Sequence, residues 1–253
     1  MCLVVFEWDP AAERRLVLVG NRDEFHARPT APMAWWGEPP VLGGRDLLAG
    51  GTWLAVDAAG RFGVLTNFRG GGAPQDPPSR GTLIPRFLAA DASPGEFLDD
   101  LAGDAQRYAG FSLLLGDRHE LAYLSNGERS PRQRLARGTY GLSNGLLDSP
   151  WPKVTASRAR LAAALAAGTA PEPLLDLLAD RRVAADGELP DTGLALELER
   201  RLSAPFIVGE GYGTRSSSVL WLSGDGRGVV LERTHAPDGA STGLRRFVIG
   251  AGR

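Results

Sequence analysis

The sequence has very little cysteine and lysine, and its charge is close to balanced. Among its 253 residues Cys2 is the single cysteine, which excludes an internal disulfide and is typical of a reducing compartment. The basic residues are nearly all arginine, with Lys153 the only lysine, and the formal net charge is −2. Without a basic run, this charge gives no indication of nucleic-acid binding.

Long hydrophobic runs are also missing. The apolar run at the N-terminus is short, is interrupted by Glu7 and Asp9, and has no basic region before it, so it does not resemble a signal peptide. The alanine-rich residues 161–167 are far shorter than the about 20 residues that a spanning helix needs. We therefore expect a soluble, cytoplasmic protein in which residues 1–253 form a single domain.

Apolar patterning and turn residues predict strands and helices in alternating groups. Strands are predicted at residues 2–8, 15–20, 52–57, 61–67, 111–116, 120–125, 133–142, 213–222, 228–233 and 243–250. Helices are predicted at residues 82–90, after Ser93, after Ser149, at 171–182 and at 194–202. Residues 28–51 are predicted to be a long loop, in which Trp35 and Trp36 line a pocket or cover the core edge. The order favours an α+β fold with two facing antiparallel sheets covered by helices.

The start of the chain combines features of a nucleophile. Cys2 is small enough for the preceding methionine to be cleaved, and cleavage would leave a thiol and a free α-amine on one residue. An α-amine has a reference pKa of about 8, so it can take the proton of its own thiol. The thiolate is the reactive form of cysteine. The alternative interpretation is that Cys2 is a small buried hydrophobic residue.

Polar residues at predicted strand ends supply the other groups that an attack on an amide bond requires. Arg22 and Asp23 follow the second strand, Asn67 and Asn144 follow later strands, and Arg215 begins another. An acid can hold the amine, side-chain N–H groups can stabilise an oxyanion, and a cation can lie near developing charge. Each residue taken alone is also typical of an ordinary turn.

Taken together, these motifs resemble those of the NRDE family, which is also named for transport and Golgi organisation. The matching segments are the Cys2 start, Asn21-Arg22-Asp23-Glu24-Phe25 with Arg28-Pro29, Gly43-Gly44-Arg45-Asp46, Gly51-Thr52-Trp53-Leu54, Thr66-Asn67-Phe68-Arg69, Ser79-Arg80-Gly81, Gly141-Leu142-Ser143-Asn144 and Gly213-Thr214-Arg215-Ser216. They extend over nearly the whole chain, so the sequence is identified as a member of this family.

The NRDE family is in turn similar to the N-terminal-nucleophile hydrolases, especially the cysteine branch with bile salt hydrolases and penicillin V acylases. This resemblance implies a four-layer αββα sandwich, with two antiparallel sheets between helical layers. It implies that Cys2 is the nucleophile and its own amine the base, and that Asp23 holds this amine. Asn67 would serve the oxyanion hole, and Asn144 would match the second strand-end asparagine of the branch.

Two arginines complete the implied site. Arg215 matches the late arginine near the thiol. Arg22 is out of register, because the acylase arginine precedes the aspartate by several residues, whereas Arg22 directly precedes Asp23. The implied activity is that of an amidohydrolase that cleaves a small acyl-amide, a linear C–N bond outside peptides, through a thioester on Cys2. This chemistry requires no cofactor and no metal.

The resemblance also allows a non-enzymatic function, because members of the family are associated with haem trafficking and with lipid or acyl-coenzyme A handling. Cys2 and His26 would then be candidate axial haem ligands, although a lone histidine is more often structural. His119 and His235 lie in predicted turns and are expected to be solvated. A third interpretation, an interaction protein of secretion, has no docking segment to support it. The sequence leaves the small-molecule ligand or substrate and the oligomeric state open.

Overall fold

The computed structural model describes residues 2–70, 74–127 and 132–250. Its strands are β1 (Cys2–Trp8), β2 (Arg14–Phe25), β3 (Thr30–Trp35), β4 (Val41–Asp46), β5 (Leu54–Asp57), β6 (Phe62–Asn67), β7 (Phe111–Gly116), β8 (Leu121–Ser125), β9 (Gln133–Arg134), β10 (Gly138–Leu142), β11 (Tyr212–Ser223), β12 (Gly228–His235) and β13 (Ser241–Ile249). Its helices are α1 (Leu83–Ala89), α2 (Pro94–Asp104), α3 (Pro152–Ala166) and α4 (Leu196–Ser203). Met1, whose removal the N-terminal mechanism requires, lies outside the described residues.

The strands form two antiparallel sheets. Sheet A has the order β10-β1-β2-β11-β12-β13, and sheet B has the order β3-β4-β5-β6-β7-β8-β9. Sheet A therefore brings the first strands of the chain next to the last ones, with β2 and β11 at its centre. The strands predicted at the start of the chain, at 52–67 and at 111–125 are confirmed, and each consecutive pair forms an antiparallel hairpin.

Three hydrophobic clusters separate four layers. Residues such as Val4 and Phe6 of sheet A face sheet B across the central cluster. The outer face of sheet B is covered by α1 and α2, and the outer face of sheet A packs against Leu161 and other residues of α3. A fully buried side chain of this size contributes about 1.5–3 kcal/mol, so all three clusters hold the layers together. The predicted four-layer αββα sandwich is confirmed.

The capping residues of α2 explain where this helix begins. Ser93 and Glu96 form a capping box, and Pro94 occupies the first turn, where its missing N–H group has no cost. The prediction of a helix after Ser93 is therefore confirmed. The predicted helix at 171–182 is wrong, because only a 3₁₀ turn over Glu172–Asp176 forms there, in a segment where Pro171 and Pro173 lack backbone N–H donors.

The prediction of a long loop over residues 28–51 is also wrong. This segment forms β3 and β4, which pair at the edge of sheet B. An edge strand tolerates Pro32, because one side of the strand needs no ladder donor. Trp36 packs on the cluster between sheet B and its helices, and Trp35 is 44% exposed. Trp36 therefore covers the edge of the core, whereas Trp35 is exposed.

Residues 133–142 form two strands instead of the predicted one. The first, β9, belongs to sheet B and the second, β10, belongs to sheet A. The chain crosses between the sheets over residues 135–137, where Leu135 is buried in the central cluster. This crossing brings the end of β10, with its Ser143 and Asn144, next to the start of β1.

Candidate active site

The polar run of residues 21–24 lies inside a strand and does not follow one. β2 extends to Phe25, which is five residues past its predicted end. Successive side chains of a strand point to opposite faces, so Asn21 and Asp23 lie on one face of sheet A, and Arg22 and Glu24 lie on the other. The strand continues because its polar groups find partners: Asn21 Nδ2 donates to two backbone oxygens, at 3.0 and 2.9 Å.

Cys2 begins β1 at the end of the central cluster. It is 7% exposed and lies directly opposite Arg22 of β2, and the backbone N–H of Asp23 donates a hydrogen bond to its thiol. Burial raises the pKa of the Cys2 thiol and the charge of Asp23 raises it further, whereas Arg22 and this hydrogen bond lower it. A thiol kept neutral in this way needs a nearby base before it can act as a nucleophile.

Asp23 lies one residue past the pair of Cys2 and Arg22, beside the start of β1. Its side chain is 1% exposed, and Oδ1 accepts a hydrogen bond from Thr214 Oγ1 at 2.7 Å. Burial raises the pKa of the Asp23 carboxyl, whereas Lys153, this hydrogen bond and Arg22 lower it. The arrangement places a buried carboxyl group where it can hold a cation at the N-terminal side of Cys2.

Lys153 is part of this buried charge network, which the sequence analysis missed. It is 4% exposed, and its Nζ donates to the backbone oxygen of Leu202 at 2.7 Å. Burial lowers the pKa of Lys153 to about 8, against the opposing effect of Asp23. A signal was present in the sequence: the only lysine lies in the first turn of a helix, where a cation opposes the helix dipole.

A second buried ion pair lies beside Lys153. Arg69 Nη1 is 2.8 Å from Glu199 Oε2, with side-chain exposures of 9% and 5%. The Arg69 guanidinium also lies 5.2 Å from the ring centroid of Trp151. Burial lowers the pKa of Arg69, and the charge of Glu199 raises it. Lys153, Arg69 and Glu199 thus connect helices α3 and α4 to the end of β6.

Asn67 and Asn144 connect the ends of β6 and β10. Asn144 is fully buried, and its Nδ2 donates to the backbone oxygen of Asn67 at 2.7 Å. The neighbouring Ser143 hydroxyl donates to the backbone oxygen of Cys2 at 2.9 Å. Asn67 is half-buried and lines the cavity beside the thiol, whereas Asn144 holds the backbone of Asn67 from behind.

Arg215 fastens the chain that follows β2. Its Nη1 donates to the backbone oxygens of Phe25, His26 and Arg28 at 2.9, 3.3 and 3.2 Å. Burial lowers the pKa of Arg215, and so does the neighbouring Arg22. Both arginines line the cavity, so the structure brings Arg22 and Arg215 together with Cys2 even though Arg22 and Asp23 occupy opposite faces.

The cavity beside Cys2 has a volume of about 740 Å³. Its walls come from both sheets and from the segments around Thr52 and Gly81. Of the predicted site residues it is lined by Cys2, Arg22, Asp23, Asn67 and Arg215. His26 is not among the lining residues, and its Nε2 lies 2.9 Å from the backbone oxygen of Gly209. The structure therefore does not bring His26 and Cys2 together in this cavity.

The prediction that His235 is a solvated turn residue is wrong. His235 ends β12, is half-buried and lines the cavity. Its Nε2 lies 3.0 Å from Ser217 Oγ, and Ser217 in turn donates to Asn21 Oδ1 at 2.7 Å. Burial lowers the pKa of His235 to about 4, together with the charges of Arg233 and Arg181. β12 thus extends two residues past its predicted end at residue 233, and the imidazole at its end has a polar partner, Ser217 of β11.

Within residues 2–70, 74–127 and 132–250, no group of three or more His, Cys, Asp and Glu side chains is arranged to hold a metal ion. No helix in the same ranges is long and apolar enough to cross a membrane.

Known proteins match this chain over nearly its full length. A family model described as Transport and Golgi organisation 2 matches residues 1–237. The Transport and Golgi organization protein 2 homolog of Bos taurus is 32% identical over 259 residues, which cover 92% of this chain and 93% of that protein. The Homo sapiens homolog is 30% identical over 257 residues, with coverage of 92% and 93%.

A solved structure shares the fold at low sequence identity. It is the mutant C2A conjugated bile acid hydrolase from Clostridium perfringens, with a TM-score of 0.50 and 9% identity, covering 100% of this chain and 94% of that chain. At this identity the likeness shows the fold alone. It agrees with the layered architecture predicted from the resemblance to the N-terminal-nucleophile hydrolases.

Proposed function

Because the chain belongs to the Transport and Golgi organisation 2 family and has an N-terminal-nucleophile hydrolase-like fold, we propose that it hydrolyses a small acyl-amide with Cys2 as the nucleophile. One observation carries the proposal. The only thiol of the chain lies at the wall of a large cavity, where the backbone of Asp23 binds it and the Asp23 carboxyl is buried beside it. A buried hydrophobic cysteine needs none of these groups.

The first half of the reaction forms a thioester. After removal of Met1, the α-amine of Cys2 takes the proton of the thiol, and the thiolate attacks the carbonyl carbon of the amide. The side-chain N–H groups of Asn67 are the candidate donors to the resulting oxyanion, and Asp23 stabilises the ammonium. The ammonium then gives its proton to the leaving nitrogen as the C–N bond breaks.

The second half restores the enzyme. The amine, now neutral, takes a proton from water, and the hydroxide attacks the thioester carbonyl carbon. The C–S bond breaks, the carboxylic acid leaves, and the thiolate recovers a proton from the ammonium. The α-amine carries every proton in this sequence. Asp23 must therefore stay charged, because only the carboxylate stabilises the ammonium form of this amine. Lys153 favours the charged form of Asp23 and is therefore a positioning residue.

A turnover assay with matched variants tests the proposal. Wild type, Cys2→Ser and Cys2→Ala are each incubated with a panel of fatty-acyl, aryl-acyl and bile-acid amides, and the released amine is quantified. We expect release by wild type and loss of at least about 100-fold in Cys2→Ala, the scale of losing an activated nucleophile. Equal Tm values would show that both variants fold. If wild type and Cys2→Ala release amine equally from every member of the panel, Cys2 is not the nucleophile.

A further inference from the structure

The inner face of sheet A changes from apolar to polar as it approaches the cavity. The cross-strand register of β1, β2, β11 and β12 defines three successive rows of side chains. They are Phe6, Leu18, Leu220 and Val230, then Val4, Gly20, Ser218 and Glu232, then Cys2, Arg22, Ser216 and Thr234. Glu232 therefore lies on the same face as Cys2, three strands away across the sheet.

Glu232 and Cys2 both line the same cavity. Adjacent strands are about 4.8 Å apart, and two residues span about 7 Å along a strand. Three strand spacings and one such step place Glu232 about 16 Å from Cys2. A molecule bound at the thiol can therefore extend across the sheet to Glu232.

The two carboxyl oxygens of Glu232 have different surroundings. Oε2 accepts a hydrogen bond from the backbone N–H of Met33 at 2.6 Å, which ties β12 to the edge strand β3 of the other sheet. No residue of the described part of the chain donates a hydrogen bond to Oε1. A Cβ added to Gly44 would lie 3.5 Å from Oε1, so this cavity-lining glycine leaves space beside the oxygen.

The tie to Met33 does not by itself require an acid. A neutral amide could accept the same hydrogen bond without the cost of burying a carboxyl group, and Glu232 is only 3% exposed. Burial raises the pKa of Glu232, whereas Met33, Arg245 and Arg22 lower it. The carboxylate has capacity for further donors at Oε1. The nearby Arg245 and Arg22 favour a neutral donor there over a cation.

We propose that Glu232 Oε1 binds a neutral hydrogen-bond donor, a hydroxyl or a ring N–H group, at the far end of the acyl group of the substrate. The assignment of that molecule as a substrate rests on the proposed hydrolysis. The binding contact itself does not depend on turnover.

The experiment uses alkylation of Cys2, because this is the only thiol in the chain. Two α-chloroacetamides carry arms of equal length, long enough to span about 16 Å, one ending in pyrrole and the other in furan. The two rings have the same shape, but only pyrrole has an N–H donor. The thiol displaces chloride to form a thioether, and intact mass follows the rate against reagent concentration. The reagent concentration that gives half the maximal alkylation rate then reports how tightly the arm binds before the thiol reacts.

Glu232→Gln is the informative variant. The side-chain oxygen of the glutamine can keep the hydrogen bond from Met33. The glutamine NH₂ group, a donor, then takes the place of the acceptor Oε1 of the wild-type protein. We expect the half-saturating concentration of the pyrrole reagent to rise about tenfold in Glu232→Gln, and that of the furan reagent to stay equal or fall. Glu210→Gln, at an exposed position outside the cavity, removes the same charge and should change neither value.

Iodoacetamide, which is too short to reach Glu232, separates this contact from a general effect on the thiol. Its rate should be the same in wild type and Glu232→Gln. If both proteins show equal preference between pyrrole and furan reagents, or none, Glu232 serves only to tie the sheets together and the proposal is overturned. Failure of amide turnover with a preserved pyrrole preference would instead overturn the proposed hydrolysis and leave this contact standing.

Discussion

Among single residues, Lys153 and Asp23 are buried charged groups close enough to Cys2 to affect its thiol. Asp23 is buried where a carboxyl group tends to become neutral, and the positive charge of Lys153 acts in the opposite direction. A neutral Asp23 would no longer hold an ammonium at the start of β1. The network thus includes a lysine that lies outside the segments that resemble the family.

Replacement of Lys153 tests this dependence. Lys153→Met removes a positive charge near the thiol and the Asp23 carboxyl, so the thiolate becomes less favourable. We expect the pH midpoint of Cys2 alkylation by iodoacetamide to move upward by up to about one unit, with Lys153→Arg close to wild type. If Lys153→Met lowers stability but leaves the alkylation midpoint unchanged, Lys153 has only a packing role.

The candidate site was predictable from sequence only where a motif marks it. Cys2, Asp23 and Asn67 stand in short polar motifs, and the structure gathers them around one cavity. Glu232 and Lys153 stand in no motif, because they join the site through contacts between distant parts of the chain. Glu232 lies on the same face of sheet A as Cys2, three strand spacings away, and Lys153 of α3 interacts with the charge of Asp23.

At the scale of elements, strands with clear apolar alternation and the helix with a capping box were predicted well. The extension of β2 was missed because the polar run of residues 21–24 looks like a turn when its partners are unknown. Its hydrogen-bond partners, such as Thr214, lie almost 200 residues away. Local sequence carries no information about such contacts, so tertiary structure overrides the local preference.

The segments around Gly51 and Gly81 form one cavity wall through direct backbone contact. Thr52 N–H donates to the backbone oxygen of Gly81 at 3.0 Å, and a Cβ on Gly51 would lie 2.3 Å from the Gly81 carbonyl carbon. Gly51→Ala should therefore lower the free energy of unfolding by about 1–3 kcal/mol. The measurement is urea denaturation.

Gly103→Ala is the matched control for that substitution. Gly103 lies in α2, and an added Cβ there meets no atom within 4 Å. Alanine is favoured over glycine in a helix by up to about 1 kcal/mol, so this variant should be as stable as wild type or slightly more stable. Equal stability of Gly51→Ala and wild type would show that the two segments can separate without cost.

At the scale of the whole molecule, the site lies between the two sheets, and both sheets contribute residues to its cavity. His235 is half-buried at the cavity, and burial lowers its pKa to about 4 from the ordinary 6.5. Between these two values the unfolded chain binds a proton that the folded protein does not. The free energy of unfolding therefore falls as the pH falls from about 6.5 to about 4, by up to about 3 kcal/mol.

Denaturation at several pH values checks this contribution. His235→Asn should lose less stability than wild type between pH of about 6.5 and about 4.5, because it has no imidazole to protonate. His119→Asn, which changes an exposed histidine, should retain the wild-type pH dependence. Parallel pH profiles for wild type and both variants would contradict the burial argument for His235.

Detection of an acyl group on Cys2 shows directly whether this thiol is the nucleophile. Native protein is mixed with the acyl-amide that gives the most product, quenched in acid and measured by intact and peptide mass spectrometry. We expect an N-terminal peptide that begins at Cys2 and carries the mass of the acyl group, with no acylation of Cys2→Ala. A native protein that retains Met1, or wild type and Cys2→Ala acylated to the same extent, would contradict it.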